Sequence, residues 1–161
     1  MVVVKKFFIS LLLLFSLYTH ANTAKEANCL AENIYFEGRN QGTGGWIAIT
    51  NVTLNRVQSD RYPNTICEVV FQGPMYKGTN IPVRHKCQFS WWCDGLSENI
   101  DNMNLYMEIF YFANVMLTSN RLSFDITDGA THYHHYKVHP QWADKLTKVI
   151  RIGDHIFYRN N

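Results

Sequence analysis

The sequence lacks a hydrophobic run long enough to cross a membrane. Its most apolar stretch, residues 7–17, has about eleven residues, whereas a transmembrane helix needs roughly 20. Lys5 and Lys6 precede this stretch and small residues follow it. This order is typical of a secretory signal peptide, which we predict over residues 1–21 with cleavage after Ala21. A membrane anchor is the alternative. Cleavage would leave no stable membrane span and would place the protein in the periplasm or outside the cell.

The sequence also lacks an excess of positive charge once the signal peptide is removed. Loss of Lys5 and Lys6 leaves 13 of the 15 Lys and Arg residues, which equals the 13 Asp and Glu residues. A general nucleic-acid-binding protein needs a net basic face, so nucleic acid is not predicted as a partner. Repeats, low-complexity tracts and long linkers are absent from the sequence as well. We therefore predict one domain over residues 26–161.

Only four cysteines are present, and none of them forms a C-x-x-C pair. Structural zinc sites usually contain such a pair, so the spacing does not resemble a zinc site. In an exported protein, four cysteines indicate two disulfides with three possible pairings. Cys87 and Cys93 are close enough in sequence to close a local loop, and this choice would pair Cys29 with Cys67.

The spacing of apolar residues predicts an α+β chain that is mainly helical. Helices are predicted over residues 26–37, 44–59, 64–70, 101–118 and 140–146. Thr43 and Asn64 are the expected caps of the second and third helices. Residues 72–99 are predicted as loop or hairpin, with a possible strand at 88–92. Extended segments are predicted over 131–138 and 148–159, the latter turning at Gly153.

Glu37 is the carboxylate that most suggests a catalytic role. It ends an otherwise apolar helix directly before the glycine-rich loop 41–45, so it can face a cleft while the helix packs behind it. Partial burial there would raise its pKa, as a general acid at neutral pH requires. From position alone, an ordinary solvated glutamate is the alternative.

A set of motifs along nearly the whole chain resembles the SleB/CwlJ-type family of cell-wall hydrolases. The segments are 34–41 (IYFEGRNQ), 48–57 (AITNVTLNRV), 62–65, 69–72, 87–95 (CQFSWWCDG), 130–134 (ATHYH), 138–143 and 152–158. The resemblance implies a lysozyme-like, lytic-transglycosylase-like fold with a small antiparallel sheet. It also implies cleavage of the β-1,4 bond between N-acetylmuramic acid and N-acetylglucosamine in peptidoglycan glycan strands, without cofactor or metal.

Glu37 aligns with the catalytic glutamate of that family. The resemblance implies that it protonates the glycosidic oxygen and then deprotonates the C6 hydroxyl of the muramic acid, which closes on C1. The family motif Y-x-E-A-R-G-E carries a second acid where this chain has Gln41, and an alanine where it has Gly38. A two-carboxylate hydrolase needs a second acid, so Gln41 favours a one-carboxylate transglycosylase. Asp94 remains a candidate for a distant second acid, and Glu32 is predicted to be solvated.

The resemblance also suggests which residues bind the sugar. These are Gln88, Phe89, Ser90, Trp91, His132, Tyr133 and His134. Trp91 and its neighbour Trp92 can stack on sugar faces, although at least one of the two is expected in the core. Asn55 and Arg56, together with Arg39, are predicted to support the loop around Glu37.

Other functions remain open at this stage. The histidines at positions 132, 134, 135 and 139 could suit a metal, but no motif places a third ligand. An N-acetylmuramoyl-L-alanine amidase would need such a zinc-held cluster. A non-catalytic peptidoglycan-binding module is the other alternative, because Gln41 replaces the second acid. A Cys/His peptidase is disfavoured because all four cysteines can be paired.

Overall fold

The computed structural model describes residues 22–119 and 124–161, so the predicted signal peptide at 1–21 lies outside the described residues. The described helices are α1 (22–38), α2 (Gly42–Val57), α3 (Ile66–Val70) and α4 (Met103–Thr118). The described strands are β1 (His132–His135), β2 (Thr147–Ile152) and β3 (His155–Arg159). The strands form an antiparallel sheet in the order β1-β3-β2. The predicted α+β class, mainly helical with a small antiparallel sheet, is confirmed.

The core forms around one face of α1. Ala27, Leu30, Ala31 and Ile34 are completely buried, as their spacing of three and four residues predicts for one face of a helix. The same core contains apolar residues of α2, α3 and α4, among them Ile49, Val69, Val70, Ile109 and Ala113. No helix in the described ranges is long and apolar enough to cross a membrane.

Two predicted helix caps are wrong by a residue or more. Helix α2 begins at Gly42 after an N-cap at Gln41, so Thr43 lies inside its first turn. Helix α3 is capped by Thr65 rather than Asn64. Thr65 Oγ1 accepts a hydrogen bond from Glu68 N at 3.3 Å and donates to Glu68 Oε2 at 2.8 Å. The cap of α3 is therefore the residue whose side chain meets a free N–H group of the first turn, whereas α2 has no side-chain cap because the side chain of Gln41 bonds to Asp154.

Residues 72–99 are mostly irregular, as predicted, but the expected strand at 88–92 is wrong. A 3-10 helix occupies Ser90–Cys93, and the disulfide Cys87–Cys93 closes the chain on itself over a separation of six residues. A disulfide between residues six apart brings the two ends of the segment together, so the segment between them cannot be an extended strand. The other disulfide joins Cys29 of α1 to Cys67 of α3, so the expected pairing is confirmed.

Strands β2 and β3 form a hairpin that turns at Gly153, as predicted. Gly153 has a φ of +56°, a backbone conformation that favours glycine, and a Cβ there would lie 2.4 Å from Gln41 Oε1 and would displace that side chain. The side chain of Gln41 donates to Asp154 Oδ2 at 3.1 Å and accepts from Asp154 N at 2.9 Å. These bonds fix the tip of the hairpin to the turn between α1 and α2. The helix predicted over 140–146 is only a short 3-10 helix, Ala143–Lys145.

Candidate active site

Glu37 lies in the last turn of α1 and points into a cavity of about 270 Å³ between the helices and the sheet. The hydroxyl of Tyr133, in β1, donates a hydrogen bond to Glu37 Oε2 at 2.9 Å. The cavity is lined by Glu37, Arg56, Gln88, Phe89, Ser90, Tyr133, His134, His135 and His155. Among these described lining residues, Glu37 is the only acid.

The surroundings of Glu37 favour its protonated form. Burial raises the pKa of Glu37, while the hydrogen bond from Tyr133 and the charge of Arg56 lower it to a smaller extent. Burial, followed by the nearby charge of Glu37, holds the pKa of Tyr133 well above its usual value, so Tyr133 remains a neutral donor. A carboxyl group with a raised pKa in a cavity has the properties of a general acid.

Arg56 brings a buried positive charge to the same cavity. Its Nε donates to the carbonyl oxygen of Thr131 at 2.8 Å, and its guanidinium carbon lies 4.7 Å from the centre of the Phe89 ring and 5.3 Å from that of Tyr62. Burial lowers the pKa of Arg56, and the charge of Glu37 counteracts this effect. The guanidinium stays protonated at physiological pH, so it stabilises the carboxylate that Glu37 becomes after it donates a proton.

His155 is a cavity residue that the sequence reasoning missed. It is buried, and its ring lies 5.0 Å from that of Tyr133 in an edge-to-face arrangement. Burial and the neighbouring His135 lower the pKa of His155, which favours the neutral imidazole. In the described residues its Nδ1 has no hydrogen-bond partner. The available sequence signal was strand alternation, which places His155 on the same face as Phe157. In the structure these two residues pair with His135 and Tyr133 across the sheet.

The structure brings most of the predicted sugar-binding residues to the Glu37 cavity, but not Trp91 or His132. Trp91 stacks on Phe36 with ring centres 4.6 Å apart and donates from Nε1 to Asn33 Oδ1 at 3.0 Å. His132 contacts Thr131 and Trp142 instead. Adjacent residues of a strand point to opposite faces, so a β1 that directs Tyr133 toward Glu37 directs the rings of His132 and His134 away. The ring of His134 stacks on that of Tyr158 with centres 5.2 Å apart, although His134 still lines part of the cavity.

Two of the three predicted supporting residues, Asn55 and Arg39, do not line the Glu37 cavity. Asn55 Nδ2 donates to Asp125 Oδ2 at 2.9 Å and to the carbonyl oxygen of Ala130 at 3.0 Å, so it fixes the loop before β1. Arg39 is exposed, and its guanidinium carbon lies 5.2 Å from the centre of the Tyr35 ring. Of the residues expected to support the site, Arg56 is the one that lines the cavity.

The other acids considered from the sequence lie outside the Glu37 cavity. Asp94 Oδ1 accepts from Leu96 N at 2.7 Å within its own loop. The expectation that Glu32 is solvated is wrong, because Glu32 is half-buried on α1 and burial raises its pKa. In the described part of the chain, no three His, Cys, Asp or Glu side chains come together as a metal-binding group.

The fold is lysozyme-like, as two solved structures show. The catalytic domain of the Bacillus cereus SleB protein matches with a TM-score of 0.55 and 23% identity, over 83% of this chain and 89% of that one. The catalytic domain of the germination-specific lytic transglycosylase SleB from Bacillus anthracis matches with a TM-score of 0.58 and 23% identity, over 83% of this chain and 93% of that one.

The sequence profile of the cell wall hydrolase family matches residues 40–158, and the chain belongs to this family. Membership places the protein among enzymes that cleave the peptidoglycan of the cell wall. A comparison with curated protein sequences finds no match. The profile match begins after Glu37, so the role of this residue rests on its place in the cavity and on the resemblance of its own motif.

Proposed function

We propose that the protein is a lytic transglycosylase that cleaves the β-1,4 bond between N-acetylmuramic acid and N-acetylglucosamine, with Glu37 as its single catalytic carboxylate. The observation that carries this proposal is the environment of Glu37. It is the only acid among the described residues lining its cavity, burial raises its pKa, and Tyr133 holds one of its oxygens. The proposed place of action is the periplasm or the cell exterior.

In the first step of the proposed mechanism, protonated Glu37 gives its proton to the glycosidic oxygen as the bond to C1 breaks. Tyr133 donates to Oε2, which leaves Oε1 to face the sugar. The resulting carboxylate keeps the hydrogen bond from Tyr133 and lies near the positive charge of Arg56. Both interactions are strongest with the charged form, so they assist proton donation despite the burial of the site.

In the second step, the Glu37 carboxylate takes the proton of the C6 hydroxyl of the muramic acid while that oxygen bonds to C1. Glu37 returns to its protonated form, no water is consumed, and the product is a 1,6-anhydro sugar. The substrate supplies the nucleophile, so the enzyme needs no second carboxylate. This agrees with Gln41, whose side chain is bonded to Asp154 and does not line the Glu37 cavity.

Gln88 and Ser90 are the proposed polar contacts to the sugar. Both side chains are exposed and line the cavity, and a side-chain amide both donates and accepts hydrogen bonds, as N-acetyl and hydroxyl groups require. Phe89 between them is buried against Arg56, so its proposed role is to position that guanidinium. His134 is proposed at the border of the same site, whereas Trp91 and His132 would contact sugar only beyond this cavity.

Mass spectrometry of digested peptidoglycan tests the proposal. Anhydro-muropeptides are expected, whereas reducing ends would indicate a hydrolase and free peptides an amidase. Binding without any product would indicate a non-catalytic module. The same assay after treatment with a chelator tests the zinc-dependent alternative.

The matched variants for this assay are Glu37→Gln and Glu108→Gln. Loss of a general acid costs roughly 10² to 10⁴ in rate, so Glu37→Gln is expected to lose nearly all activity on purified sacculi. Glu108 is an exposed residue of α4, and its substitution should leave activity unchanged. Full activity of Glu37→Gln would refute the proposal.

A further inference from the structure

A second cavity, of about 510 Å³, shares no lining residue with the cavity of Glu37. Its walls come from α1, from the end of α3 and from the loop between α3 and α4. The proposed chemistry of the first cavity makes no use of this space, and the motif residues Trp91 and Trp92 face it instead.

Four aromatic rings form most of its wall. Phe36 stacks on Trp91 with ring centres 4.6 Å apart, and Phe71 meets Trp92 edge-on at 4.7 Å. The indole of Trp91 is held by its hydrogen bond to Asn33 Oδ1. The rings are therefore held in place by one another and form a preorganised box, although the stacked faces of Phe36 and Trp91 cover each other. Aromatic faces that remain open to such a cavity favour flat apolar groups or organic cations.

The only charged residues lining the box are Glu32 and Glu98. In the described part of the chain neither carboxylate forms an ion pair. Asn28 Nδ2 donates to Glu32 Oε1 at 2.8 Å, and no described residue donates to Oε2. Glu98 is exposed at the rim. Two carboxyl groups with no basic partner among the lining residues are complementary to a cation, whose charge would favour the ionised form of Glu32 against the effect of its burial.

The hydrogen-bonding groups of the box also favour a cation over a neutral sugar. Sugar hydroxyls need donors as well as acceptors, whereas an ammonium group has three donors and no acceptor. The two carboxylates supply only acceptors, whereas the Asn80 amide supplies one acceptor oxygen and one donor nitrogen. Among the lining indoles, Trp91 Nε1 is already bound to Asn33, and Trp92 Nε1 is buried without a partner in the described residues, so few side-chain donors face the cavity.

We propose that this cavity binds an organic ammonium group on an aliphatic chain, namely the side-chain amine of a diamino acid in a peptide attached to the glycan. The carboxylates pair with the ammonium, the rings cover its methylene groups, and Met75 and Ile100 extend the apolar wall. The choice of a glycan-linked peptide as the source rests on the proposed function. The enzyme would then distinguish a free amine from one that is acylated, because acylation removes both the charge and two of the N–H donors.

Isothermal titration of the folded protein tests the inference with three probes: Nα-acetyl-lysine amide, its Nε-acetylated counterpart, and a chito-oligosaccharide. The free amine is expected to bind about tenfold or more tightly than the acetylated probe. Glu32→Gln and Glu98→Gln are each expected to weaken binding of the amine several-fold, with circular dichroism as the check on folding. Glu108→Gln, which changes the same group on an exposed position of α4, should bind as the wild type does.

Equal or tighter binding of the acetylated probe would overturn the inference, as would displacement of the amine by the oligosaccharide, an unchanged affinity in Glu98→Gln, or no binding of the amine at all. The Glu37→Gln variant separates this inference from the proposed function. It should bind the amine as the wild type does while losing activity, since Glu37 does not line this cavity. Retained activity in that variant would refute the proposed function and leave the amine measurement standing.

Discussion

The hydroxyl of Tyr133 donates a hydrogen bond to Glu37 Oε2 at 2.9 Å, across a sequence separation of 96 residues. This bond joins the sheet to the end of α1 and fixes the direction of the carboxyl group. It also opposes the increase in the pKa of Glu37 that burial causes. The position and the proton affinity of Glu37 therefore both depend on Tyr133.

Tyr133→Phe should lower kcat by roughly ten- to a hundredfold, because a hydrogen bond to a charged group is worth about 1.5–3 kcal/mol. Loss of the bond should also raise the pKa of Glu37 further, because the Tyr133 bond lowers it in the wild type. The pH profile of kcat should therefore move to higher pH. Tyr106→Phe is the matched control, since Tyr106 donates to Asn28 away from the cavity. A loss of rate with no movement of the profile would mean that Tyr133 acts only through packing.

Glu37→Gln should be more stable than the wild type at neutral pH. Burial raises the pKa of Glu37 above its ordinary value of 4.5, so the folded state holds this proton more tightly than the unfolded state does. Stability is therefore lost as pH rises through the raised pKa, and the loss is absent below about 4.5. A glutamine at position 37 is neutral at every pH, so the variant does not undergo this loss of stability.

Calorimetric melting temperatures at pH 7 and pH 4 measure this effect. The advantage of Glu37→Gln should be present at pH 7 and largely gone at pH 4. Glu108→Gln, on the exposed face of α4, should have the melting temperature of the wild type at both pH values. An advantage of the same size at both pH values would mean that the charge of Glu37 is not its cause.

Gln41→Glu should lower the melting temperature without creating a hydrolase. Gln41 Nε2 now donates to Asp154 Oδ2, and a glutamate would place a second carboxylate there, with like charges in contact. The double variant Gln41→Glu/Asp154→Asn should recover stability, because the asparagine amide can donate to the new carboxylate. The products of Gln41→Glu should remain anhydro-muropeptides, and the appearance of reducing ends would show that position 41 reaches the sugar.

The features that follow from local pattern could be predicted from the sequence. The spacing of Leu30, Ala31 and Ile34 predicts a helix with one buried face, and that face is buried. The turn at Gly153 was equally predictable, because glycine reaches a positive φ at little cost. Both predictions depend on interactions within a few residues.

The features that depend on distant contacts could not be predicted. A strand that reads T-H-Y-H can direct either Tyr133 or His132 toward the helices, and pairing with β3 decides between them. Arg56 lines the site because Thr131 and Phe89 hold its guanidinium there. The segment 88–92 alternates like a strand, but its disulfide requires a tight turn.

The two disulfides should have different effects when they are removed. Cys29–Cys67 closes a segment of 38 residues between core helices, and loss of a bridge of this kind costs about 2–5 kcal/mol. Cys87–Cys93 closes a separation of only six residues, so its effect on the unfolded chain is smaller. It does, however, constrain Gln88 and Ser90, which line the Glu37 cavity.

We therefore expect Cys29→Ala/Cys67→Ala to show the larger loss in the free energy of unfolding, measured by urea denaturation. Cys87→Ala/Cys93→Ala should show the larger loss of activity relative to its loss in the free energy of unfolding. The second variant should raise KM for peptidoglycan fragments, because the proposed sugar contacts are no longer held in position before binding. If both double variants lost activity only in proportion to the fraction of protein unfolded, the loop between Cys87 and Cys93 would have no role in substrate binding.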